Sequence, residues 1–491
     1  MLAFLDLPDE LLQAILSDLD HHNILACQTT CCKLKTLVDS SMQLQYIIDL
    51  AAAGLCEGPT ARPFNISERL RRLRAYEAAR AGPIALAELP FVPALVGNPL
   101  RVRVSVTTLI TDVLEEDGHM RVYVQQMPSP VRGIEERHWS IRLAKRTYVA
   151  AVDASQDMLV VINPPRAVSI LSLSTGERHS SATVTKIALP RDAYTVTHVE
   201  VFGEYLAAMC GRNADVWVTI WNWRTADNEI ELRSPRMGPH FKSQSKFTFL
   251  SSTHIAIPSD RAEAILVYSF IRTEEARPPP TVFILPKSAS ETLVMLRRCS
   301  DVAGTRHAGY FHPAPAARMF SLAITPAPWR SERLELAVPA ETLLAHVPAA
   351  KAVPWARWGP KGCVLLRGCQ SGQNASLGLG ASAMRLVMQD DKGVVRADGA
   401  PVYALTDHCR ARVVRGTGGV LVEPFETPGS KIMGWPRSTR RYAVKQFSMP
   451  LGSEDRRHAI IVCEDLLIVL LLGEFQHENS VAFAKAWACT V

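Results

Sequence analysis

Apolar residues recur with a helical period along residues 1–50. Pro8 suits the first turn of a helix, where a missing N–H costs nothing, and Asp9 and Glu10 suit the positive end of the helix dipole. The apolar positions that follow are spaced to form one stripe: Leu11, Leu12, Ile15, Leu16 and Leu19. The chain is therefore predicted to open with an amphipathic helix.

Four more helices are predicted after this one. Asp20 is a predicted cap for the second helix, and Ser40 or Ser41 for the fourth, which Gly54 ends. The apolar positions of the second to fifth helices are, in chain order, Ile24, Leu25, Cys27, Cys31, Leu34, Leu37, Val38, Leu44, Ile47, Ile48, Ala51, Leu55, Ile66, Leu70, Leu73 and Tyr76.

The hydrophobic period changes from helical to two near residue 85. Val102 and Val104 alternate with polar neighbours, as do Val122 and Val124, which is typical of half-buried strands. Counted by this change of period, about four hundred residues form an all-β region. The pattern predicts three parts: residues 1–50, a helical linker at residues 51–84, and a β domain at residues 85–491.

A weak repeat runs through the β domain. Three times an apolar strand leads through a polar turn to a second strand, starting at Leu159, Leu206 and Ile255. The spacing of roughly 47–50 residues is typical of a four-stranded propeller blade and predicts about six to eight blades. Residues 460–470 are a candidate last copy. The sequence therefore predicts a multidomain α plus all-β protein with a propeller-like domain, and a pair of β-sandwiches is the alternative.

Composition narrows the function classes. The 491 residues carry a formal net charge of only +6, which gives no reason to expect a nucleic-acid partner. The best basic cluster is interpreted as a solvated helix face: Arg69, Arg71, Arg72, Arg74 and Arg80. Eleven irregularly spaced cysteines indicate free, mostly buried thiols in a reducing compartment, and no secretory leader or membrane span is predicted. The expected location is the cytoplasm, the nucleus or both.

The sequence contains none of the common catalytic and metal-binding motifs that were searched for. The chain has no phosphate-cradling Gly-Lys-Ser or Gly-Lys-Thr loop, no His-Glu-x-x-His and no Gly-x-Ser-x-Gly elbow. His21 and His22 lie near Cys27, Cys31 and Cys32, but no second pair follows at zinc-finger spacing, so core cysteines are favoured. Five tryptophans are interpreted as packing residues of strands: Trp217, Trp221, Trp223, Trp355 and Trp358. We expect no cofactor, no metal and no enzymatic activity.

The front of the chain resembles an F-box. The resemblance rests on Leu7-Pro8-Asp9-Glu10-Leu11-Leu12 and on the apolar spacing that follows. Residues 44–54, 155–160 and 218–223 are similar to the large group of mushroom-type fungal F-box proteins. Many F-boxes carry an aromatic residue shortly after the cysteine, where this chain has only Leu34 and Leu37, and the fungal relatives often have tryptophan where Ala79 stands.

The resemblance implies a substrate receptor of a cullin-RING (SCF-type) ubiquitin ligase. Its partners would be the small F-box-binding adaptor, through it the cullin scaffold, and an unknown client protein bound by the β domain. The implied adaptor-binding residues are Leu7, Pro8, Leu11, Leu12, Ile15, Leu16, Leu19, Ile24, Leu25, Cys31 and Leu34. The alternatives are an F-box scaffold without a degradative role and a propeller enzyme with a helical cap.

Overall fold

The fold was analysed in a computed structural model of the chain. It describes residues 4–82 except 59, 60 and 62, and residues 87–88. It also describes residues 99–368 except 106, 130–131, 164–166, 191–192, 194, 213–214, 234–245, 260–263, 271–278, 287–291, 300–308, 315–317, 327–332 and 348–350. Beyond these it describes residues 381–382, 385–389, 402–407, 420–422, 442–448, 458–463, 466–472 and 483–490.

Five helices form the front of the chain, as the sequence predicts. They are α1 (Asp9–Ser17), α2 (His21–Gln28), α3 (Cys32–Ser40), α4 (Met42–Ala52) and α5 (Ile66–Ala81). Two side-chain caps are confirmed, because Asp20 accepts a hydrogen bond from the Asn23 N–H and Ser41 accepts one from the Leu44 N–H. These caps satisfy amide donors that the first turn of a helix otherwise leaves unpaired.

This region differs from the prediction at several positions. Cys31, predicted on the second helix, lies beyond the end of α2 and directly precedes α3. Leu55 lies in a strand and not on the fourth helix, because α4 ends at Ala52 and Gly54 takes a positive φ of 66° that reverses the chain. Asn65 caps α5 through its side chain, which accepts from the Glu68 N–H. Residue 50, where the sequence predicts the end of the first part, lies inside α4.

Strands make up most of the described residues that follow α5, and one short strand precedes that helix. They are β1 (Leu55–Glu57), β2 (Ala87–Glu88), β3 (Pro99–Ser105), β4 (Thr108–Leu114), β5 (Met120–Gln126), β6 (Arg137–Leu143), β7 (Tyr148–Asp153), β8 (Met158–Asn163), β9 (Ala167–Ser172), β10 (Ile187–Ala188), β11 (Thr195–Phe202), β12 (Tyr205–Arg212), β13 (Asp215–Asn222), β14 (Asn228–Arg233), β15 (Thr248–Ser251), β16 (His254–Ser259), β17 (Ala264–Ser269), β18 (Thr281–Ile284), β19 (Thr292–Cys299), β20 (Phe311–Pro313), β21 (Met319–Pro326), β22 (Arg333–Pro339), β23 (Ala352–Val353), β24 (Val364–Gly368), β25 (Ala381–Ser382), β26 (Arg385–Gln389), β27 (Val402–Asp407), β28 (Val420–Val422), β29 (Tyr442–Ser448), β30 (His458–Cys463), β31 (Leu466–Leu472) and β32 (Phe483–Thr490).

Within the described residues these strands form seven sheets of four or five strands, here called blades. In order of pairing, blade 1 is β3-β4-β5-β6, blade 2 is β7-β8-β9-β10, blade 3 is β11-β12-β13-β14 and blade 4 is β15-β16-β17-β18-β23. Blade 5 is β19-β21-β22-β24, blade 6 is β25-β26-β27-β29-β28 and blade 7 is β30-β31-β32-β2. All pairs are antiparallel except β18 with β23.

The blades form a closed ring. The first strand of each blade contacts the first strand of the next, except that blade 4 meets blade 5 through its second strand, β16. The ring closes where β30 contacts β3, and β2 completes blade 7 from the N-terminal side by pairing with β32. The β domain is thus a propeller, in which radial repetition leaves only short sheet edges, and the sandwich alternative is wrong.

The predicted repeat corresponds to consecutive blades. The three copies occupy the second and third strands of blades 2, 3 and 4, and the candidate last copy occupies the first two strands of blade 7. The five tryptophans are buried, as predicted, but Trp355 and Trp358 lie in a short helix, Trp355–Gly362, and not in strands, and Trp223 directly follows β13. The prediction of mostly buried thiols needs correction for the six cysteines whose side chains the structure describes: Cys210 and Cys363 are buried, Cys27, Cys31 and Cys56 are partly buried, and Cys32 is exposed.

An insertion between β22 and β24 carries two short helices, α6 (Ala340–Leu344) and α7 (Trp355–Gly362). Trp358 packs on Phe283 of blade 4 and donates its indole N–H to the Ile284 carbonyl at 3.3 Å. The insertion therefore covers the outer edge of blade 4 with a segment that begins and ends in blade 5.

The helical front has two apolar cores. The first, here called the F-box core, consists of Leu12, Leu16, Ile24, Leu34, Leu37, Val38, Leu44 and Ile48. The second, here called the shared core, consists of Tyr46, Ala53, Leu55, Leu70, Leu73, Tyr76 and Phe311. Phe311 belongs to the propeller, so the second core is completed by a residue from far along the chain.

Candidate functional site

The first helix has an inner and an outer apolar face. Leu12 and Leu16 are buried in the F-box core, with 0% and 1% of their surface exposed. Leu11 and Ile15, one turn apart, remain 52% and 41% exposed. Neighbouring helical residues lie about 100° apart around the axis, so one wide stripe can supply both faces. An outward pair of large aliphatic side chains is an interaction-surface signal when more apolar residues lie on the same domain.

A short turn before α1 adds two more exposed apolar side chains. Phe4 and Leu5 lie in a single turn of 3-10 helix, Phe4–Asp6, and are 48% and 41% exposed. Lys33 of α3 holds this turn, because its Nζ donates to the Leu5 carbonyl at 2.8 Å. The same ammonium lies 3.5 Å from Asp9 at the start of α1. Through Lys33, the turn is therefore linked to both α1 and α3.

Exposed apolar residues are concentrated in this part of the protein. Among the residues that the structure describes, six of the ten exposed large apolar side chains lie between residues 4 and 42: Phe4, Leu5, Leu11, Ile15, Leu25 and Met42. Single exposed apolar residues are normal on any protein surface, but a concentration in one small domain marks a contact with another molecule.

The structure divides the residues proposed for adaptor binding into three groups. Pro8, Leu11, Ile15 and Leu25 are exposed. Leu7, Leu19 and Cys31 are partly buried against the F-box core. Leu12, Leu16, Ile24 and Leu34 are buried in that core, so we correct their part: they shape the surface from below and are not available to a partner.

Sequence reasoning did not include Phe4 and Leu5 in the site. Their signal was present, because both are large apolar residues directly before the Leu7-Pro8 start. They were missed because two residues are too few to show a period.

Polar groups around this surface are paired within the domain. Lys35 donates to the Asp39 carboxylate, which also accepts from Gln28, and the Lys35 hydrogen bond lowers the pKa of Asp39. At the start of α2, partial burial lowers the pKa of His21, and the adjacent His22 lowers it further. A neutral imidazole suits this position, because the N-terminus of a helix disfavours positive charge.

The arginine face of α5 differs from the predicted solvated face. Arg71 and Arg74 have side chains 67% and 62% exposed, but those of Arg69 and Arg72 are only 24% exposed and Arg80 is buried. All five lie within 4 Å of a carboxylate: Glu57 for Arg69, Glu68 for Arg71 and Arg72, Asp49 for Arg74 and Glu77 for Arg80. Carboxylates of the same domain thus compensate this basic cluster.

Other kinds of site were sought in the described part of the chain. There, no three histidine, cysteine, aspartate or glutamate side chains are grouped as metal binding requires. None of the described helices has the length and apolar character needed to span a membrane.

Comparison with known protein families identifies the front domain. Residues 4–46 match the F-box-like family model, which spans the exposed turn, α1 to α3 and the first half of α4. The protein thus carries an F-box-like domain followed by a β-propeller. No curated protein matches the chain.

Solved structures that match the chain include WD40 domains, at low similarity. The WD40 domain of coronin from Toxoplasma gondii is 9% identical, with a TM-score of 0.41 over 83% of this chain and 87% of that one. Hsv2 from Kluyveromyces lactis is 9% identical, with a TM-score of 0.42 over 80% and 99%. The WD40 domain of SCAP from fission yeast is 9% identical, with a TM-score of 0.37 over 83% and 98%. The description of the propeller rests on the strand pairing of this chain itself.

Proposed function

We propose that this protein is the substrate-receptor subunit of a cullin-RING ubiquitin ligase of the SCF type. The observation that carries the proposal is the exposed apolar surface of the F-box-like domain, above all Leu11 and Ile15 on α1. The small adaptor of such ligases would cover this surface and link the protein to the cullin scaffold. The protein would bring the client close to an enzyme that carries ubiquitin and is held elsewhere in the complex. That enzyme transfers ubiquitin, so the protein itself would contribute no catalytic residue.

The propeller would hold the client protein, and its topology favours one face. Successive antiparallel strands reverse direction, so connections from first to second and from third to fourth strands emerge on one face of the ring. The helical front contacts such a connection, because β1 pairs with β20 between the first two strands of blade 5. We infer that the client binds the opposite face, built from second-to-third connections and the links between blades.

The adaptor test uses the full chain and two exposed residues. We expect Leu11→Ala combined with Ile15→Ala to weaken adaptor binding about 100-fold, because burying each side chain in an interface contributes about 1.5 kcal/mol or more. Binding is measured by titration of purified adaptor. The matched control is Leu114→Ala in the propeller, where the leucine is 51% exposed, almost the same as Leu11.

Two results would overturn adaptor binding through α1. One is a parent chain that does not bind the adaptor, and the other is a double variant that binds as tightly as the parent. Equal melting temperatures of the parent and the variants show that any loss is local to the surface. That equality is expected, because truncation of exposed side chains usually changes stability by less than about 0.5 kcal/mol.

Client turnover distinguishes a receptor from a scaffold. Affinity purification with the proteasome blocked identifies the bound client, and its half-life is then compared in cells expressing the parent or the Leu11, Ile15 double variant. A receptor predicts a longer half-life with the variant, because client is bound but not delivered. An unchanged half-life, with client binding confirmed, would favour the scaffold role. Deleting residues 1–50 is a poorer design, because it would remove Tyr46 from the shared core.

We further propose that the protein acts in the cytoplasm, the nucleus or both. Its partners would be proteins, and it would bind no cofactor, nucleic acid or membrane. Similarity to mushroom-type fungal F-box proteins stays a prediction.

A further inference from the structure

The connection between β19 and β21 reaches out of the propeller to the helical front. Within it, β20 pairs antiparallel with β1, so that Leu55 lies opposite Pro313 and Glu57 opposite Phe311. Two further backbone bonds flank this ladder: the Gly58 N–H donates to the Tyr310 carbonyl at 2.8 Å, and the Ala314 N–H donates to the Gly54 carbonyl at 2.9 Å. Residues 309–314, here called the bridging segment, are therefore held by the helical front along their whole length.

Side chains add a second layer to this contact. The Phe64 and Tyr310 rings meet edge to face with centroids 5.6 Å apart. The Arg72 guanidinium lies over both, 4.1 Å from the Phe64 centroid and 4.3 Å from the Tyr310 centroid. Glu68 fixes that guanidinium by accepting from Arg72 Nε at 2.6 Å. Two side chains of the helical front, Phe64 and Arg72, thus contact the Tyr310 ring, and both kinds of contact depend on the orientation of the ring.

Two glycines allow the chain to lie close to Gly309 and Tyr310. A Cβ added at Gly58 would lie 1.9 Å from the Gly309 carbonyl oxygen. A Cβ added at Gly133, which has a φ of 69°, would lie 2.5 Å from the Tyr310 ring. Glycine at position 58 lets the helical front approach the bridging segment this closely, and glycine at position 133 lets blade 1 approach the Tyr310 ring from the propeller side.

The bridging segment is anchored on the propeller side as well. Arg132 of blade 1 is 1% exposed; its Nε donates to the Phe311 carbonyl at 3.1 Å, and its own carbonyl accepts from the Tyr310 N–H. Shortly after the segment, the buried Arg318 pairs with Glu200 of blade 3 and donates to Thr248 of blade 4 at 3.1 Å. Blade 1 therefore holds the segment itself, and blades 3 and 4 hold the chain at Arg318, shortly after the segment.

We propose that the bridging segment is a positioning element that holds the helical front in one orientation relative to the propeller, with Tyr310 as its central residue. The chain uses strand addition, a common way of binding a separate peptide, to bind a piece of itself. Two parts joined only by a linker move relative to one another by default, unless their interface is extensive and well packed. This inference goes beyond the proposed function, since it holds whether or not an adaptor binds.

The test measures the distance between the two parts in the intact chain. Spin labels are attached through a keto amino acid at Thr36 and Ser180, which are exposed on α3 and in blade 2, so that the native cysteines are not labelled. Dipolar electron paramagnetic resonance should give one narrow distance distribution for the parent. Tyr310→Ala should lose the narrow peak and give a broad distribution, because the ring contacts disappear.

Three comparisons keep the test decisive. Tyr310→Phe should restore the narrow peak, because it keeps the ring against Phe64 and Arg72. Tyr148→Ala, at an exposed tyrosine of blade 2, is the matched control and should leave the peak unchanged. If circular dichroism shows that Tyr310→Ala perturbs folding, Arg72→Ala combined with Phe64→Ala replaces it and should broaden the distribution from the helical side, because it removes both side chains that contact the Tyr310 ring. A broad distribution in the parent, or a narrow peak in the correctly folded Tyr310→Ala variant or in the double variant, would overturn the proposal.

Discussion

The two cores of the helical front complete their apolar surfaces in different ways. The F-box core is closed by its own four helices, yet Leu11 and Ile15 on α1 face outward. Beside the shared core, none of the described residues of α5 and β1 is an exposed large apolar side chain; its helices and β1 close over Phe311, which comes from the propeller. The F-box core thus leaves an apolar surface exposed for another molecule, whereas the shared core is covered by a segment of the same chain.

Helix α4 serves both cores and explains how they stay distinct. Leu44 and Ile48 point into the F-box core, whereas Tyr46 lies in the shared core. The Tyr46 hydroxyl donates to Glu57 at 3.0 Å, and Arg69 binds the same carboxylate at 2.8 Å. Burial, assisted by the Glu57 charge, raises the pKa of Tyr46, so the hydroxyl stays protonated and remains a donor. Helix α4 therefore belongs both to the F-box-like domain and to the joint, by which we mean the contact between the helical front and the bridging segment.

The largest expected effects come from removing one side chain from each core. Phe311→Ala should cost about 3–5 kcal/mol and Leu12→Ala about 2–5 kcal/mol, since each leaves a cavity in a packed interior. Hydrogen exchange should show Leu12→Ala loosening α1 to α3 while the Gly58 amide stays protected. Phe311→Ala should expose the Gly58 amide and loosen α5 while α1 to α3 stay protected. Leu11→Ala is the control and should change neither region. If either core variant loosened both regions equally, the two cores would be one cooperative unit.

The sequence predicted the helices and the repeat because both depend on local period. It did not determine which residue of each neighbouring pair faces inward. Leu11 and Leu12, like Ile15 and Leu16, are both apolar and both fit a wide stripe, so only the packing of α2 to α4 decides between them.

The bridging segment was beyond the reach of sequence patterns. Arg132 and Phe311 meet across 179 positions, and only the closed ring of blades brings them together. Gly58 and Gly133 carry no periodic signal, since their need for glycine comes from a neighbour distant in the chain. Contacts of this kind depend on tertiary structure, which a single sequence does not reveal.

A smaller effect is expected at the arginine that links the two parts. Arg72→Ala should destabilise the joint by about 1 kcal/mol or slightly more, because a partly exposed cation over two rings contributes about 0.5–1 kcal/mol for each ring. Arg71→Ala is a matched control on the same helix: it also binds Glu68, but its side chain is 67% exposed. Thermal unfolding of both variants measures the difference. Equal losses would mean that the ion pair with Glu68, and not the rings, accounts for the effect.

The smallest effect concerns Glu68 and depends on pH. Glu68 accepts from Arg71 and Arg72, and these hydrogen bonds, with Arg71 foremost, lower the pKa of Glu68 to about 2 from an ordinary value of 4.5. A carboxyl group whose pKa is lower in the folded state stabilises the fold above its unfolded pKa, and this contribution is lost as the pH falls through the folded value. Glu68→Gln should therefore lower the melting temperature at pH 5–7, and its difference from the parent should shrink as the pH falls towards about 2.

A double-mutant cycle assigns that pH dependence to the two arginines. In a chain that already carries Arg71→Ala and Arg72→Ala, Glu68→Gln should lose most of its effect, since interacting residues are not additive. What remains would come from the position of Glu68 in the first turn of α5, where the helix N-terminus favours a negative charge. If the melting-temperature difference between Glu68→Gln and the parent stayed constant from pH 7 to pH 2, the Glu68 carboxylate would not form a stabilising ion pair with the two arginines. In that case the Arg72 guanidinium would be held over Tyr310 by its contacts with the two rings, and the Glu68 charge would contribute nothing to it.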